Sequence, residues 1–218
     1  MIKERAISFK AREVAAIIDG KKTQLRRVLD CDHPVVTGFV PNGDGGWWKG
    51  TAKSEAVIQQ YISTFPFGIK CPYGVVGDRL WVRESWSTHA CFDAEMPCLL
   101  ETHSIHYWAD GKCQTGKKRS SAHMPRKYSR ILLEITNIRV ERLNQISRVD
   151  AVKEGLHQLP VTGRYVINKG DQYFGGASSN PCEVFQWLWE GINGTNSWSV
   201  NPWVWVVEFK IIQSDTAP

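Results

Sequence analysis

The chain has segments in which apolar residues recur with a period of two and others in which they recur at helical spacing. Residues 130–143 and 203–212 alternate, which is typical of β-strands. Both faces of 130–143 are largely apolar, so we expect this strand at the centre of a sheet. Residues 11–18 and 181–192 carry apolar side chains at intervals of three and four, which predicts two helices, the first of about three turns.

Shorter segments add further elements to this pattern. Residues 7–9, 79–86 and 104–108 are predicted strands. The S-x-x-D pattern at 147–150 is typical of a capped helix start, and Gly155 ends that helix. About five to six strands with three short flanking helices predict an α+β fold, built on a small mixed β-barrel.

Long stretches without periodicity lie between these elements. The segment 30–77 is rich in glycine, proline and asparagine, and it is predicted to be an irregular loop insertion with one short helix at about 54–61. Residues 113–127 and 157–180 are predicted loops. Since no linker or internal repeat divides the sequence, residues 1–218 are predicted to form a single domain.

The composition is that of a folded protein. The 218 residues are 42% hydrophobic and 22% charged, with a formal net charge of +5, which excludes an intrinsically disordered chain. No apolar run reaches the roughly 18 residues of a membrane-spanning helix, and the start of the chain has no signal-peptide core. We therefore expect a cytoplasmic protein without a membrane partner.

The positive charge is concentrated in two segments that are distant in sequence. Residues 1–27 have a net charge of +5 and residues 117–148 a net charge of +7, whereas the remainder sums to −7. If the fold brings the two segments together, they form a surface that attracts polyanions such as RNA. The alternative is two separate solvated faces.

Three sequence motifs resemble those of one protein family. They are Gly20–Arg27 (GKKTQLRR), Gly77–Glu84 (GDRLWVRE) and Trp203–Phe209 (WVWVVEF). In this order they resemble the ASCH domain, a branch of the PUA-like β-barrel superfamily. Over essentially the whole length, the chain is similar to the longer ASCH-like proteins common in phages and prophages. Further matching segments are Cys71–Gly74, His123–Arg126 and Asn201–Trp203.

This resemblance implies binding of RNA or a modified nucleoside, since PUA-like barrels typically hold such ligands in a cleft beside the barrel. Stacking rings and cations suit single-stranded RNA. The implied binding residues are Lys22, Arg26, Arg27, Arg83, Glu84, Trp86, His123, Arg126 and Arg130. Alternatively, Arg83 and Glu84 belong to a cross-strand salt-bridge network, and His123 is a hydrogen-bonded loop residue.

The resemblance also implies a possible hydrolase. Small ASCH proteins include an amidohydrolase that removes the acyl group from N4-acetylcytidine with a lysine, a threonine and a glutamate. The corresponding positions are Lys22, Leu25 and Glu154, and leucine has no hydroxyl to act as a nucleophile. Lys22 and Glu154 would then activate water on RNA or on N4-acylated cytidine. The alternatives are an ordinary ion pair between them, or a contact of Lys22 with phosphate.

The cysteines offer a further possible site. All six are predicted to be reduced thiols. Four of the chain's cysteine and histidine residues lie near one another in sequence, namely Cys91, Cys98, His103 and His106. They could bind zinc, or they are loop residues that are near one another by chance. We predict no bound metal and no cofactor. In a third reading of the function, the insertion 30–77 engages a protein partner.

The ten tryptophans divide into core and candidate stacking residues. Predicted core residues are Trp81, Trp187, Trp189, Trp203 and Trp205. Predicted stacking residues are Trp86, Trp108 and Trp198. Trp47 and Trp48 belong to the insertion and receive no role.

Overall fold

A computed structural model of the protein describes residues 2–29, 38–41, 46–50, 69–100, 105–111 and 116–214. The helix predicted at about 54–61 and His103 lie outside these residues, as does most of the insertion.

The described elements are thirteen strands, three α-helices and six short 3₁₀ turns. The strands are β1 (Glu4–Ser8), β2 (Gln24–Val28), β3 (Gly38–Pro41), β4 (Gly46–Gly50), β5 (Ile69–Lys70), β6 (Arg79–Arg83), β7 (Trp86–Ser87), β8 (His106–Tyr107), β9 (Ile131–Arg142), β10 (His157–Gln158), β11 (Tyr165–Val166), β12 (Ala177–Ser178) and β13 (Trp203–Ser214). The helices are α1 (Ala11–Ile18), α2 (Arg148–Lys153) and α3 (Pro181–Asn193). The 3₁₀ turns are Ala90–Phe92, Trp108–Asp110, Ser121–His123, Arg126–Tyr128, Leu143–Gln145 and Asp171–Phe174.

A five-stranded mixed sheet organises the fold, in the order β1-β6-β9-β13-β2. Strands β1 and β6 are parallel, and the other neighbours are antiparallel. The two longest strands, β9 and β13, are paired along their lengths with two register shifts. Helix α1 connects β1 to β2, which form opposite edges of the sheet.

The sheet confirms the predicted α+β class, while no closed barrel is detected among the described residues. Strands β1 and β2 make no backbone pairing with each other among the described residues, so the sheet is not closed. The long strands, the start of α2 at Ser147 and helix α3 are confirmed. The segment 157–180 is not all loop, because β10, β11 and β12 form a small sheet there. Helix α1 has only eight residues, and Gly20 follows it with a positive φ of 69°.

Alternation along β13 separates two hydrophobic cores. Trp205, Val207 and Phe209 point into the main core with α1 and the other strands. Val204 and Val206 point into a second core with α2 and α3. The successive side chains of a strand face opposite sides of its sheet, so both faces of β13 are covered.

Candidate functional site

A cavity of about 380 Å³ lies where the two edge strands of the sheet approach α3. Its apolar wall consists of Phe9, Phe185, Leu188, Trp189 and Ile192. Its charged residues are Lys10, Glu13, Lys22, Arg26, Arg27 and Glu154, and its hydroxyls come from Ser8, Ser85 and Ser121. Ser121 belongs to the second basic segment and Lys22 to the first, so the fold brings parts of both segments to one cavity.

Lys22 and Glu154 form a buried ion pair at this cavity. The Lys22 ammonium donates to Glu154 Oε2 at 2.8 Å and to the Glu154 carbonyl oxygen at 3.2 Å. A backbone bridge joins the same two residues. The following Gly155 has a φ of 93°, and a Cβ there would lie 3.1 Å from Lys22 Cβ. Glycine therefore allows the end of α2 to approach Lys22 closely.

Arg26 extends the ion pair into a network. Its guanidinium donates to Glu154 Oε1 at 2.8 Å and to Glu141 Oε1 at 2.6 Å. Glu13 adds a second carboxylate beside Lys22, with Oε1 3.6 Å from the ammonium. Because Lys22 and Arg26 are an even number of residues apart on extended chain, they reach the same side of the sheet. Both oxygens of Glu154 thus accept hydrogen bonds from cations.

Arg27 and Lys10 also line the cavity, and their positive charges have fewer opposite charges nearby than those of Lys22 and Arg26. Arg27 donates to the Arg26 carbonyl at 3.1 Å and lies 5.9 Å from the Phe9 ring centroid. No carboxylate of the described residues lies within 4.0 Å of the charged groups of Arg27 or Lys10. These two cations are available to an anionic ligand.

Aromatic rings form one wall of the cavity. Phe185 and Trp189 lie one helical turn apart on α3, with ring centroids 6.2 Å apart. Phe9 follows β1 and is buried in the main core. The three side chains are only 2–5% exposed, and they give the cavity an apolar surface beside the charged network.

Glu84 and Arg130, two members of the predicted binding set, form a buried ion pair with each other. Their side chains are almost fully buried and form two hydrogen bonds of 2.9 and 3.0 Å. Asp110 accepts a further bond from Arg130 at 2.7 Å. Burial opposes the charge on Arg130, but the two carboxylates raise its pKa above the ordinary value. Neither Glu84 nor Arg130 lines the cavity, and their charges are compensated within the protein, as in the alternative of a salt-bridge network that the sequence left open for Glu84.

Trp86, a predicted stacking residue, lies in the interior of the protein. Its side chain is 0% exposed and packs against Tyr128, with ring centroids 5.2 Å apart. The guanidinium of Arg119 lies 5.4 Å from the ring centroid. Trp86 does not line the cavity and belongs to a small core with Leu100 and Met124.

Arg83, Arg126 and His123 lie on a neighbouring surface. The guanidiniums of Arg83 and Arg126 lie 5.8 and 5.9 Å from the ring centroid of Trp81, on which they converge. Arg83 also donates to the Ala122 carbonyl at 3.3 Å, beside the exposed His123. Trp81 is only half-buried and was predicted to be core. We call Trp81, Arg83 and Arg126 the β6 surface.

Several cavity residues were missed by the sequence analysis, including Ser8, Phe9, Glu13 and Ser121. The motif around Lys22 contains none of them. The other predicted stacking residues have partners within the protein, since Trp108 lies under the Lys118 ammonium and Trp198 packs edge-on against Phe185.

The zinc hypothesis gains no support among the described residues, which contain no group of three or more potential metal ligands. The Cys91 sulfur lies 3.1 Å from His89 Nδ1, while His103 is outside the described ranges. Among the described helices, none is both long and apolar enough to span a bilayer.

Comparison with known proteins gives no independent assignment. No protein-family model matches the chain, and no curated protein or solved structure is significantly similar to it. The ASCH resemblance therefore stays a prediction, and the function is argued from the cavity.

Proposed function

We propose that this is a cytoplasmic RNA- or nucleoside-binding protein that holds a base in the cavity. The observation that carries the proposal is the combination, in one cavity, of a buried ionic network around Glu154, a wall of aromatic rings and the cation Arg27. Flat heterocycles bind through ring contacts and hydrogen bonds to their edges, and cations attract the attached phosphates.

The size of the cavity supports an unpaired base as the ligand. Its volume of about 380 Å³ falls within the range of small-molecule sites, about 300–1,000 Å³. A base paired in a duplex exposes only its groove edge, so it would have to leave the helix to enter. The proposed ligand class is therefore a free nucleoside, a nucleotide or single-stranded RNA.

The β6 surface provides a path for the rest of an RNA strand. Arg83 donates to the carbonyl of Ala122, the neighbour of the cavity residue Ser121, so the surface begins beside the cavity. Arg126 forms an ion pair with Glu4, whose Oε2 lies 3.2 Å from the guanidinium. Both side chains are exposed, so a phosphate can reach Arg126. We assign Arg83 and Arg126 contacts with phosphates outside the cavity.

Fluorescence titration tests this proposal with the four 5′-mononucleotides, a ten-nucleotide single-stranded RNA and its duplex. We expect saturable binding of the single strand, weaker binding of the duplex, and at least tenfold loss in Arg27→Ala. The matched control is Arg164→Ala, an exposed arginine outside the cavity. Equal affinity of Arg27→Ala and wild type would overturn the proposal, as would an absence of binding to mononucleotides and single strand.

A hydrolase is the second candidate, favoured by the 2.8 Å contact of Lys22 and Glu154 at the cavity. In this reaction Glu154 takes a proton from water, and the hydroxide adds to the acyl carbon of N4-acetylcytidine. The C–N bond breaks, the departing amine receives the proton, and Lys22 offsets the charge on the carbonyl oxygen. Leu25 is buried in the main core, so it contributes nothing to this chemistry.

Chromatography of N4-acetylcytidine reactions distinguishes the two candidates. Release of cytidine and acetate by the wild type, lost in Lys22→Ala and Glu154→Gln variants that still fold, would establish the hydrolase. The same background rate in all three proteins would exclude it for this substrate. Binding is the function that the geometry supports best, because both oxygens of Glu154 are already engaged by cations.

A further inference from the structure

A second, smaller cavity adjoins the first. It has a volume of about 230 Å³ and, like the first, is lined by Leu188 and Ile192 of α3. Four residues line both cavities, namely Lys10, Glu13, Leu188 and Ile192. The two spaces are therefore neighbours that share one wall, built from the start of α1 and the exposed side of α3.

The second cavity is largely apolar where it is separate from the first. Its lining is completed there by Ile167, Trp187, Gly191 and one cation, Arg12. Trp187 is half-buried, and no atom lies within 4 Å of the position where Gly191 would carry a Cβ. The ring of Trp187 therefore borders open space in which a flat group can stack.

The wall shared by the two cavities carries an uncompensated positive charge, because its carboxylate, Glu13, is engaged by other groups while its cation, Lys10, is not. Glu13 Oε2 accepts the backbone N–H of Lys10 at 3.0 Å, and Glu13 Oε1 lies 3.6 Å from the Lys22 ammonium. The Lys22 ammonium and the Lys10 amide therefore offset the negative charge of Glu13. Arg12, at the edge of the second cavity, donates to the carbonyls of Ile167 and Gly155. The ammonium of Lys10 is exposed and, within the described ranges, has no carboxylate partner.

We infer that the two cavities bind two successive nucleotides of one single strand. One base occupies the larger cavity, the next base stacks on Trp187, and Lys10 contacts the phosphodiester between them. This rests on the proposed function and narrows its ligand class to a dinucleotide or a longer strand. Continuity of the cavities and a cation at their junction favour this occupant, because an apolar peptide side chain needs no charge there.

Calorimetric titration tests the inference with mononucleotides, the matching dinucleotides, and dinucleotides whose second position is abasic. We expect each dinucleotide that binds to do so at least about tenfold more tightly than its mononucleotide, as one stacked base contributes. The abasic ligand should lose most of this gain. Lys10→Gln should weaken the dinucleotide more than the nucleoside, which has no phosphate.

Trp187→Ala should reduce the advantage of the dinucleotide over the mononucleotide to within about twofold. Trp187→Phe retains an aromatic ring and should keep most of the affinity advantage of the dinucleotide. If the alanine variant does not fold, the phenylalanine variant and the abasic dinucleotide still test the inference. The matched control is Tyr173→Ala, an aromatic residue that is 81% exposed and lines neither cavity.

The outcomes separate this inference from the proposed function. If mononucleotides bind and dinucleotides bind no tighter, only the inference is overturned. An abasic dinucleotide that matches the complete one has the same meaning. If no nucleotide binds, the proposed function fails as well. An apolar dye whose binding depends on Trp187 and which dinucleotides do not displace would assign the second cavity to another class of ligand.

Discussion

The ammonium of Lys22 lies 2.8 Å from Glu154 Oε2, and the two side chains are only 3% and 4% exposed. Removing Glu154 would leave the Lys22 ammonium with only the more distant Glu13 carboxylate, at 3.6 Å, and a buried charge that loses its closest partner destabilises the fold. The pair joins the segment before β2 to the end of α2, so its loss affects both the cavity and the stability of the protein.

We expect Glu154→Gln to lower the free energy of unfolding by about 3–5 kcal/mol, because Lys22 and Arg26 both lose a charged acceptor. Urea denaturation followed by circular dichroism measures this change. Glu190→Gln is the control, since no cation of the described chain lies within ion-pair distance of Glu190. A loss below about 1 kcal/mol, the range of an exposed pair, would contradict the buried network.

Gly155→Ala should destabilise the protein by about 1–3 kcal/mol, because its φ of 93° disfavours a side chain and a Cβ would lie 3.0 Å from Ala16 Cβ. Gly191→Ala is the contrasting variant, since it lies within α3 and its Cβ would meet open space. It should stabilise by about 0.5–1 kcal/mol. Thermal unfolding of both variants checks the sign, and a stabilising Gly155→Ala would show that this close approach is not required.

Asp78 should make the stability depend on acid pH. Although burial opposes its charge, hydrogen bonds from the Lys3 and Val75 amides and from Arg5 lower the pKa of Asp78. A carboxyl with a lowered pKa in the folded state stabilises the protein above its unfolded pKa, about 3.9, and this contribution is lost as pH falls through the folded value.

The variant Asp78→Asn should therefore be less stable than the wild type at pH 7 by about 1.5–3 kcal/mol. The difference should begin to shrink below about pH 4, where the carboxyl of the unfolded chain becomes protonated, and should disappear as the folded carboxyl is protonated at lower pH. Urea titrations from pH 7 to pH 3 measure it. A difference that does not change with pH would mean that the charge of Asp78 makes no contribution.

Trp86 and Trp81 should respond in opposite ways to substitution. Trp86→Ala should cost about 3–5 kcal/mol of stability, because it empties a fully buried site. The milder Trp86→Phe should fold and keep the RNA affinity of the wild type. Trp81→Ala should instead weaken RNA binding, since Arg83 and Arg126 lose the ring on which they converge. RNA-binding and unfolding measurements on the same variants test these two expectations. Weaker RNA binding by folded Trp86→Phe would indicate that Trp86 belongs to the binding site.

The salt dependence of RNA binding should report the phosphate contacts. Each lost contact with a single strand should reduce the slope of log affinity against log salt by about 0.7. We expect such a change in Arg83→Ala and in Arg126→Ala, and none in Arg164→Ala. Unchanged slopes in the first two would remove the β6 surface from the proposed path of the strand.

Local patterns were sufficient to predict the long elements of the fold. Alternation indicated β9 and β13, and the S-x-x-D pattern indicated the start of α2 at Ser147, whose hydroxyl does accept the Asp150 amide. Pairing order was not predictable in this way. Strand β2 lies beside β13, which is distant in sequence, and long-range contacts of this kind leave no local signal.

The sequence predicted only part of the candidate site, because some of its residues come together only in the tertiary fold. Leu80, Val82, Glu84 and Trp86 follow one another with a period of two, and all four are buried. The same period placed Trp81 and Arg83 on the other side, so alternation was a better guide to exposure at this strand than residue type. Glu13 and Glu141 could not be assigned, because each reaches the network only through the tertiary fold.

The position of β13 between β9 and β2 has a consequence during synthesis. Strand β2 is translated about 175 residues before the strand that it pairs with, which corresponds to roughly 10–35 s at typical elongation rates. During that interval its backbone groups and Leu25 are without their final neighbours. Charged residues on an unpaired strand oppose aggregation, so Arg26 and Arg27 would protect the nascent chain before they line the cavity.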